Sequence, residues 1–148
     1  MSEAQDVARG DHPEPAHERE RVLLIDDDVG RRSHLHGVFA SLGYRHVHEV
    51  ADPAEALVVL SEHVFDLVVT DQRTVPGGIE LVRRLRAHPD GLKRATPVIL
   101  VTARSEAVEP EEPGMLRIDA LLHAPIDASA LEAAISRALA HKRDLRRH

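Results

Sequence analysis

Short apolar runs recur along this chain, and each stops abruptly at a polar residue. Val22-Leu23-Leu24-Ile25 runs into Asp26-Asp27-Asp28, Leu67-Val68-Val69-Thr70 into Asp71, and Val98-Ile99-Leu100-Val101 into Thr102. Runs this brief and this rich in β-branched residues read as strands buried on both faces. Weaker ones occur at residues 47–50 and at Leu121-Leu122. A strand buried on both faces needs helices above and below it, and helical periodicity does fall between the runs. Leu35, Val38, Phe39 and Leu42 follow an i, i+3, i+4, i+7 pattern, with Gly43 where such a helix would stop. Asp52-Pro53 opens the next segment as N-cap and first turn, and Ala56, Leu57 and Leu60 supply its apolar stripe. Ile79, Val82 and Leu85 mark a third helix that ends near His88-Pro89-Asp90-Gly91. Leu131, Ala134, Ile135, Ala138 and Leu139 mark a last one, capped by Asp127 or Ser129.

This alternation predicts an α/β fold. Five strands in one such unit fit a flavodoxin-like, doubly wound parallel sheet of order 2-1-3-4-5 with helices on both faces. The helix between the fourth and fifth strands is the exception. Pro110, Pro113 and Gly114 interrupt it, and an interior Pro costs a helix about 3 kcal/mol, so it is expected to be short or unwound. Residues 1–20 contain two Pro, several acids and almost nothing apolar, so they read as a disordered acidic tail. Residues 21–140 form the folded domain. Residues 141–148 are a basic C-terminal tail or an extension of the last helix.

Composition removes several classes of function. With no cysteine there is no disulfide framework, thiolate zinc site or cysteine nucleophile. The net charge of -6 speaks against bulk-charge binding of nucleic acid. Three aromatic residues, Phe39, Tyr44 and Phe65, are too few for a base-stacking platform. No apolar run approaches the roughly 18 residues that span a bilayer, and the first ten residues lack the basic start and apolar stretch of a secretory signal. A cytoplasmic protein without membrane insertion is expected.

In an open parallel sheet, ligands bind outside the carboxyl ends of the strands. Asp26, Asp27 and Asp28 follow the first strand, Asp71 the third and Thr102 the fourth. The first and third strands are neighbours in this topology, so Asp26, Asp27 and Asp71 should converge. Clustered carboxylates repel unless protons or a cation neutralise them, and hard oxygen ligands in an open site suit Mg2+. The plainer reading is that the acidic triplet ends a strand and caps a helix. His34/His36 and His46/His48 lack the further ligands a metal site needs.

At these residues the chain resembles the receiver domain of bacterial two-component response regulators. The resemblance rests on VLLIDDD, FDLVVTDQR followed by PGGIELVRRLR, PVILVTA and DALLHAPID, and spans about residues 21–140. It implies that Asp71 is the phosphoacceptor, attacking phosphorus in a phosphohistidine donor. It implies that Asp27, Asp71 and the carbonyl of Arg73 bind Mg2+ directly, with Asp26 acting mainly through water. Thr102 would be the switch hydroxyl and the Ala103 amide a further phosphoryl donor. The implied partners are a sensor histidine kinase or phosphotransfer protein and a downstream protein, without direct nucleic-acid contact. Leu139 and Leu145 offer a surface for a homodimer.

The chain also departs from the family pattern. Ala124 stands where the family has a lysine before Pro125, and Leu121 where it has a switch aromatic. His123 is on the opposite strand face from Ala124 and so should not simply replace that lysine. Arg73 and Arg104 flank the expected site as alternative cations. The loop after Asp71 is one residue short. Three functions follow: a receiver that accepts phosphate on Asp71 and signals by protein contacts; a phosphorylation-independent pseudo-receiver acting as an adaptor; or, from Asp26-Asp27-Asp28-Val29, a phosphohydrolase resembling haloacid dehalogenases. The first two are not turnover enzymes. The third leaves Asp71 and Thr102 without a role.

Overall fold

A computed structural model describes residues 17–72, 77–102, 117–123 and 125–147. Five parallel strands form one sheet in the order β2-β1-β3-β4-β5. They are β1 (His17–Ile25), β2 (Tyr44–Val50), β3 (Leu67–Asp71), β4 (Val98–Thr102) and β5 (Ala120–His123). The helices are α1 (Val29–Ser41), α2 (Pro53–Glu62), α3 (Gly78–Arg86), the single turn α4 (Gly91–Arg94) and α5 (Ala128–Arg147). This is the expected doubly wound sheet. The interrupted segment between β4 and β5 and the first 16 residues lie outside the described residues.

The pleat divides the apolar residues between two cores. Val22 and Leu24 of β1, Leu67 and Val69 of β3, and Ile99 and Val101 of β4 face Leu35 and Phe39 of α1 and Leu131, Ala134, Ile135 and Ala138 of α5. The intervening Leu23, Ile25, Val68 and Val98 face Ala56, Val59 and Leu60 of α2 and Leu81, Val82 and Leu85 of α3. Each fully buried large side chain contributes about 1.5–3 kcal/mol relative to exposure, so a register slip of one residue would exchange both cores at once. The runs that end in acid are therefore locked in height.

Local chemistry sets the helix ends. Asp52 caps α2 through the Glu55 amide, 2.8 Å away, with Pro53 in the first turn. Of the two candidate caps for α5, Asp127 accepts from the Ala130 amide at 2.7 Å. Gly43, at φ 97°, turns the chain from α1 into β2, a conformation that costs other residues a Cβ clash.

Two boundaries differ from the sequence reading, and a third falls on one of its two alternatives. β1 begins at His17, not Arg21, and passes a register irregularity before pairing regularly with β2. His17 there stacks on Tyr44, with ring centroids 4.1 Å apart. Pairing with a neighbouring strand orders polar residues whose composition alone suggests a tail. β2 likewise begins at Tyr44 rather than 47. At the other end, α5 continues to Arg147, so the basic segment is a helix extension along its backbone.

Candidate functional site

Asp26 leaves β1 immediately after Ile25, and its amide donates to the Val50 carbonyl of β2. Asp71 is the last residue of β3. Ile25 is paired with Thr70 across the β1–β3 ladder, so both carboxylates emerge at one height. Asp26 is 1% exposed and Asp71 4%, whereas Asp27 lies exposed beside them. One carboxylate oxygen from each of Asp26, Asp27 and Asp71 lies within 4.8 Å of the others. The expected convergence is present. A donor set of three carboxylates, two buried and one open to water, fits a small hard divalent cation that retains part of its hydration.

Asp28 separates from its neighbours. Its carboxylate accepts from the Arg31 amide at 3.0 Å and caps α1, and its own amide donates to Asp26 Oδ1 at 2.9 Å. The capping hydrogen bond, with Arg31 and Arg32 nearby, holds its carboxyl below the usual range of 3.8. The plainer reading of the triplet is thus right for one acid in three.

Sequence reasoning missed Arg31. From the first turn of α1 its Nε donates to Asp26 Oδ2 at 2.6 Å and its Nη2 to Asp26 Oδ1 at 2.8 Å. The same Nη2 donates to Asp71 Oδ2 at 2.7 Å. A planar guanidinium therefore grips one buried carboxylate with both edges of its fork and touches the second, the geometry in which Arg surpasses Lys. The hydrogen bonds to Asp26 and the charge of Asp71 raise its pKa further above the ordinary value. Arg32 supports the arrangement from behind: its Nη1 donates to the Asp26 carbonyl and its Nε to Glu49.

Thr102, 1% exposed, closes β4. It pairs in register with His123, and Thr102 Oγ1 and His123 Nδ1 share a hydrogen bond of 2.8 Å. The sequence reading gave His123 no partner. The strand parity that turns it away from Ala124 delivers it to Thr102, because registered residues of parallel strands share a face. Leu121, at the switch-aromatic position, is 39% exposed.

Gly78 sets the wall beyond Asp71. A Cβ there would overlap the carbonyl oxygen of Asp71, so α3 approaches the strand tip as only glycine allows. The preceding Gly77, at φ 116°, makes the turn. Arg73, Ala103, Arg104 and Ala124 lie outside the described residues. The histidine pairs are accounted for without a metal on α1: His34 Nε2–H donates to the Ile126 carbonyl at 2.8 Å, and His36 Nδ1–H to Glu49 at 2.6 Å. His48 of the β2 pair lies edge-on to Phe65, with ring centroids 6.2 Å apart. No helix among the described residues is long and apolar enough to cross a membrane.

Residues 22–136 match the family model of the response regulator receiver domain. The transcriptional regulatory protein ZraR of Escherichia coli (strain K12) is 34% identical over 129 residues, a match covering 84% of this chain and 27% of ZraR. This chain therefore spans about a quarter of that relative's length. The chemotaxis protein CheY-3 of Vibrio cholerae serotype O1 is 30% identical over 114 residues, covering 76% of this chain and 85% of CheY-3. Among solved structures, the receiver domain of the sensor histidine kinase PA1611 from Pseudomonas aeruginosa PAO1 superposes with a TM-score of 0.70 at 24% identity, covering 82% of this chain and 98% of that one. With a matching sheet order, an acidic cluster at the strand tips and a family match over most of its length, this chain belongs to the response regulator receiver domains of two-component signalling.

Proposed function

We propose that this receiver accepts a phosphoryl group on Asp71 from a histidine kinase or phosphotransfer protein and passes the signal to a downstream protein by contact. The observation that carries this reading is the meeting of Asp26, Asp27 and Asp71 within 4.8 Å at the carboxyl end of the sheet. An Asp71 oxygen attacks phosphorus in the donor; the new P–O bond forms as the P–N bond to the donor imidazole breaks, and the imidazole leaves as a neutral ring after taking up a proton. Asp27 and Asp71, with the Arg73 carbonyl, would hold Mg2+, and Asp26 would act through its water. When bound, that ion supplies charge neutralisation to the transferring group. The Pseudomonas receiver contains a magnesium ion in its active-site cleft, and the carboxylate donors here are of the hard-oxygen type that this ion prefers.

Thr102 and the Ala103 amide would then hold the phosphoryl oxygens. His123 holds the Thr102 hydroxyl at 2.8 Å, so a switch of Thr102 toward the phosphoryl group requires that bond to break. The chain's signalling is stoichiometric rather than catalytic in turnover.

A second reading is favoured by a specific observation. Ala124 supplies no lysine, and Arg31 already engages both buried carboxylates, which suits a pseudo-receiver whose site stays closed. Incubation with Mg2+ and acetyl phosphate, followed by intact-mass measurement, separates the two. One phosphoryl adduct per chain, absent in Asp71→Asn, is the expected result. Failure of the native chain to form the adduct, with Mg2+ shown to be bound by calorimetry, establishes the pseudo-receiver instead.

A further inference from the structure

The described site contains a cation of its own. Arg31 reaches from α1 into the space between Asp26 and Asp71 and donates three hydrogen bonds of 2.6–2.8 Å to their oxygens. Its side chain is 27% exposed while those of Asp26 and Asp71 are 1% and 5% exposed, so the guanidinium closes the opening through which water would otherwise reach them. Among the described residues, the lysine nearest in sequence to β4 is committed elsewhere. Lys93 donates to the Ser61 carbonyl at 2.7 Å, and Ala124 removes the charge that the family places at the end of β5.

We propose that Arg31 is the resident counter-ion of the acidic pocket and that Mg2+ enters only by displacing it. The inference rests on the reading of Asp26, Asp27 and Asp71 as the magnesium-binding set. Arg31 engages two of the three carboxylates that would gather around the ion, Asp71 as a direct ligand and Asp26 through water. A guanidinium and a divalent ion crowded onto them repel each other strongly in a site shielded from water. Arg31 has somewhere to go: it sits in the first turn of a helix, on a long side chain with one face already in solvent. The consequence is a receiver whose metal-free form already carries a counter-ion and whose Mg2+ affinity is correspondingly weakened.

The test is calorimetric titration of Mg2+ into the full chain and into Arg31→Met and Arg31→Lys, with thermal unfolding at each Mg2+ concentration. Arg31→Met is expected to bind Mg2+ at least about ten-fold more tightly than the native chain and to gain more in melting temperature from it. Arg31→Lys, which keeps the charge but loses the fork, should fall between. If Arg31→Met folds only when Mg2+ is present and unfolds on chelation, the two cations are interchangeable and the proposal stands. Equal or weaker Mg2+ binding by Arg31→Met overturns it, as does a variant that remains unfolded at saturating Mg2+, because Arg31 is then a structural residue. The underlying reading fails separately: if neither the native chain nor the variants bind Mg2+ at all, the magnesium site is wrong. If Mg2+ binding tightens as expected but no chain forms an adduct at Asp71, phosphoryl acceptance is wrong and the displacement stands.

Discussion

Two clusters of arginine and aspartate lie at opposite ends of the sheet, and they are built to opposite plans. At the amino end, Arg86 of α3 donates to the carbonyls of Arg117, Arg94 and Thr96 and to Asp119 Oδ2. Asp119 in turn accepts from the Val98 amide at 2.7 Å and from Arg117 Nε at 3.1 Å. Two cations share one carboxylate, and backbone carbonyls absorb the surplus. The side chain of Arg86 is 8% exposed. Burial, with Arg117 nearby, pushes its pKa down to about 10 against the opposing pull of Asp119, so the ion is fully charged at neutral pH. At the carboxyl end, among the described residues, three carboxylates gather and one arginine bonds two of them. There the neutralising group arrives on a long side chain from a helix turn. The first cluster fastens the α3–β4–β5 edge to fixed backbone; the second leaves a demand for positive charge that a mobile ion or phosphoryl chemistry can use.

The largest effect should come from breaking the fastened cluster. Arg86→Met removes one of the two cations on Asp119 and the donor to three carbonyls, and is expected to destabilise the fold by about 3–5 kcal/mol in urea unfolding. Its adduct at Asp71 should still form in conditions where it is folded. A loss under 1 kcal/mol would mean that the two clusters do not differ in structural role. A smaller change is expected at the other end. Asp26→Asn keeps one acceptor oxygen for the Asp28 amide and Arg31 Nη2, loses the bond from Arg31 Nε, and relieves the repulsion among three like charges. The two effects oppose, so stability should move by no more than about 1 kcal/mol, while calorimetry shows Mg2+ binding weakened at least ten-fold. A destabilisation like that of Arg86→Met would erase the contrast.

The smallest effect concerns the cap between them. Asp28 has its folded pKa lowered, chiefly by the Arg31 amide. Its contribution is therefore complete above the ordinary value of 3.8 and is lost as pH falls through the folded value. Asp28→Asn should lower stability slightly across the neutral region and leave the strongly acid end unchanged, which flattens the acid limb by the same amount. An unaltered acid limb would show that this cap contributes nothing through its charge.

Much of the scaffold was legible because it depends on short-range pattern. β-branched runs mark β3 and β4, Asp52-Pro53 marks the start of α2, and strand order follows from alternation. The convergence of Asp26, Asp27 and Asp71 was legible for the same reason: it needs only that β1 and β3 be neighbours. Contacts set by the tertiary fold were not. His17 to Glu20 look like tail, yet they continue a strand because β2 lies alongside. Arg31 looks like one more charge at the start of a solvated helix; the only available signal was its position one turn after an acidic strand end in a chain whose fifth strand lacks lysine. His123 was excluded by the correct parity argument, but parity says what a residue turns away from and not what it meets. The one-turn helix α4 has too few residues to show periodicity.

Gly78 carries a mechanical consequence. With no side chain between them, the start of α3 rests on the final carbonyl of β3 without clearance. A displacement of that peptide toward the helix has no soft group in which to dissipate, so the helix must take it up as a rigid lever. Its far end bears Arg83, Arg84 and Arg86, of which the first two are exposed and the third is bolted to the opposite rim of the sheet. A shift at the tip of β3 would thereby reach Arg83 and Arg84 along a single rod.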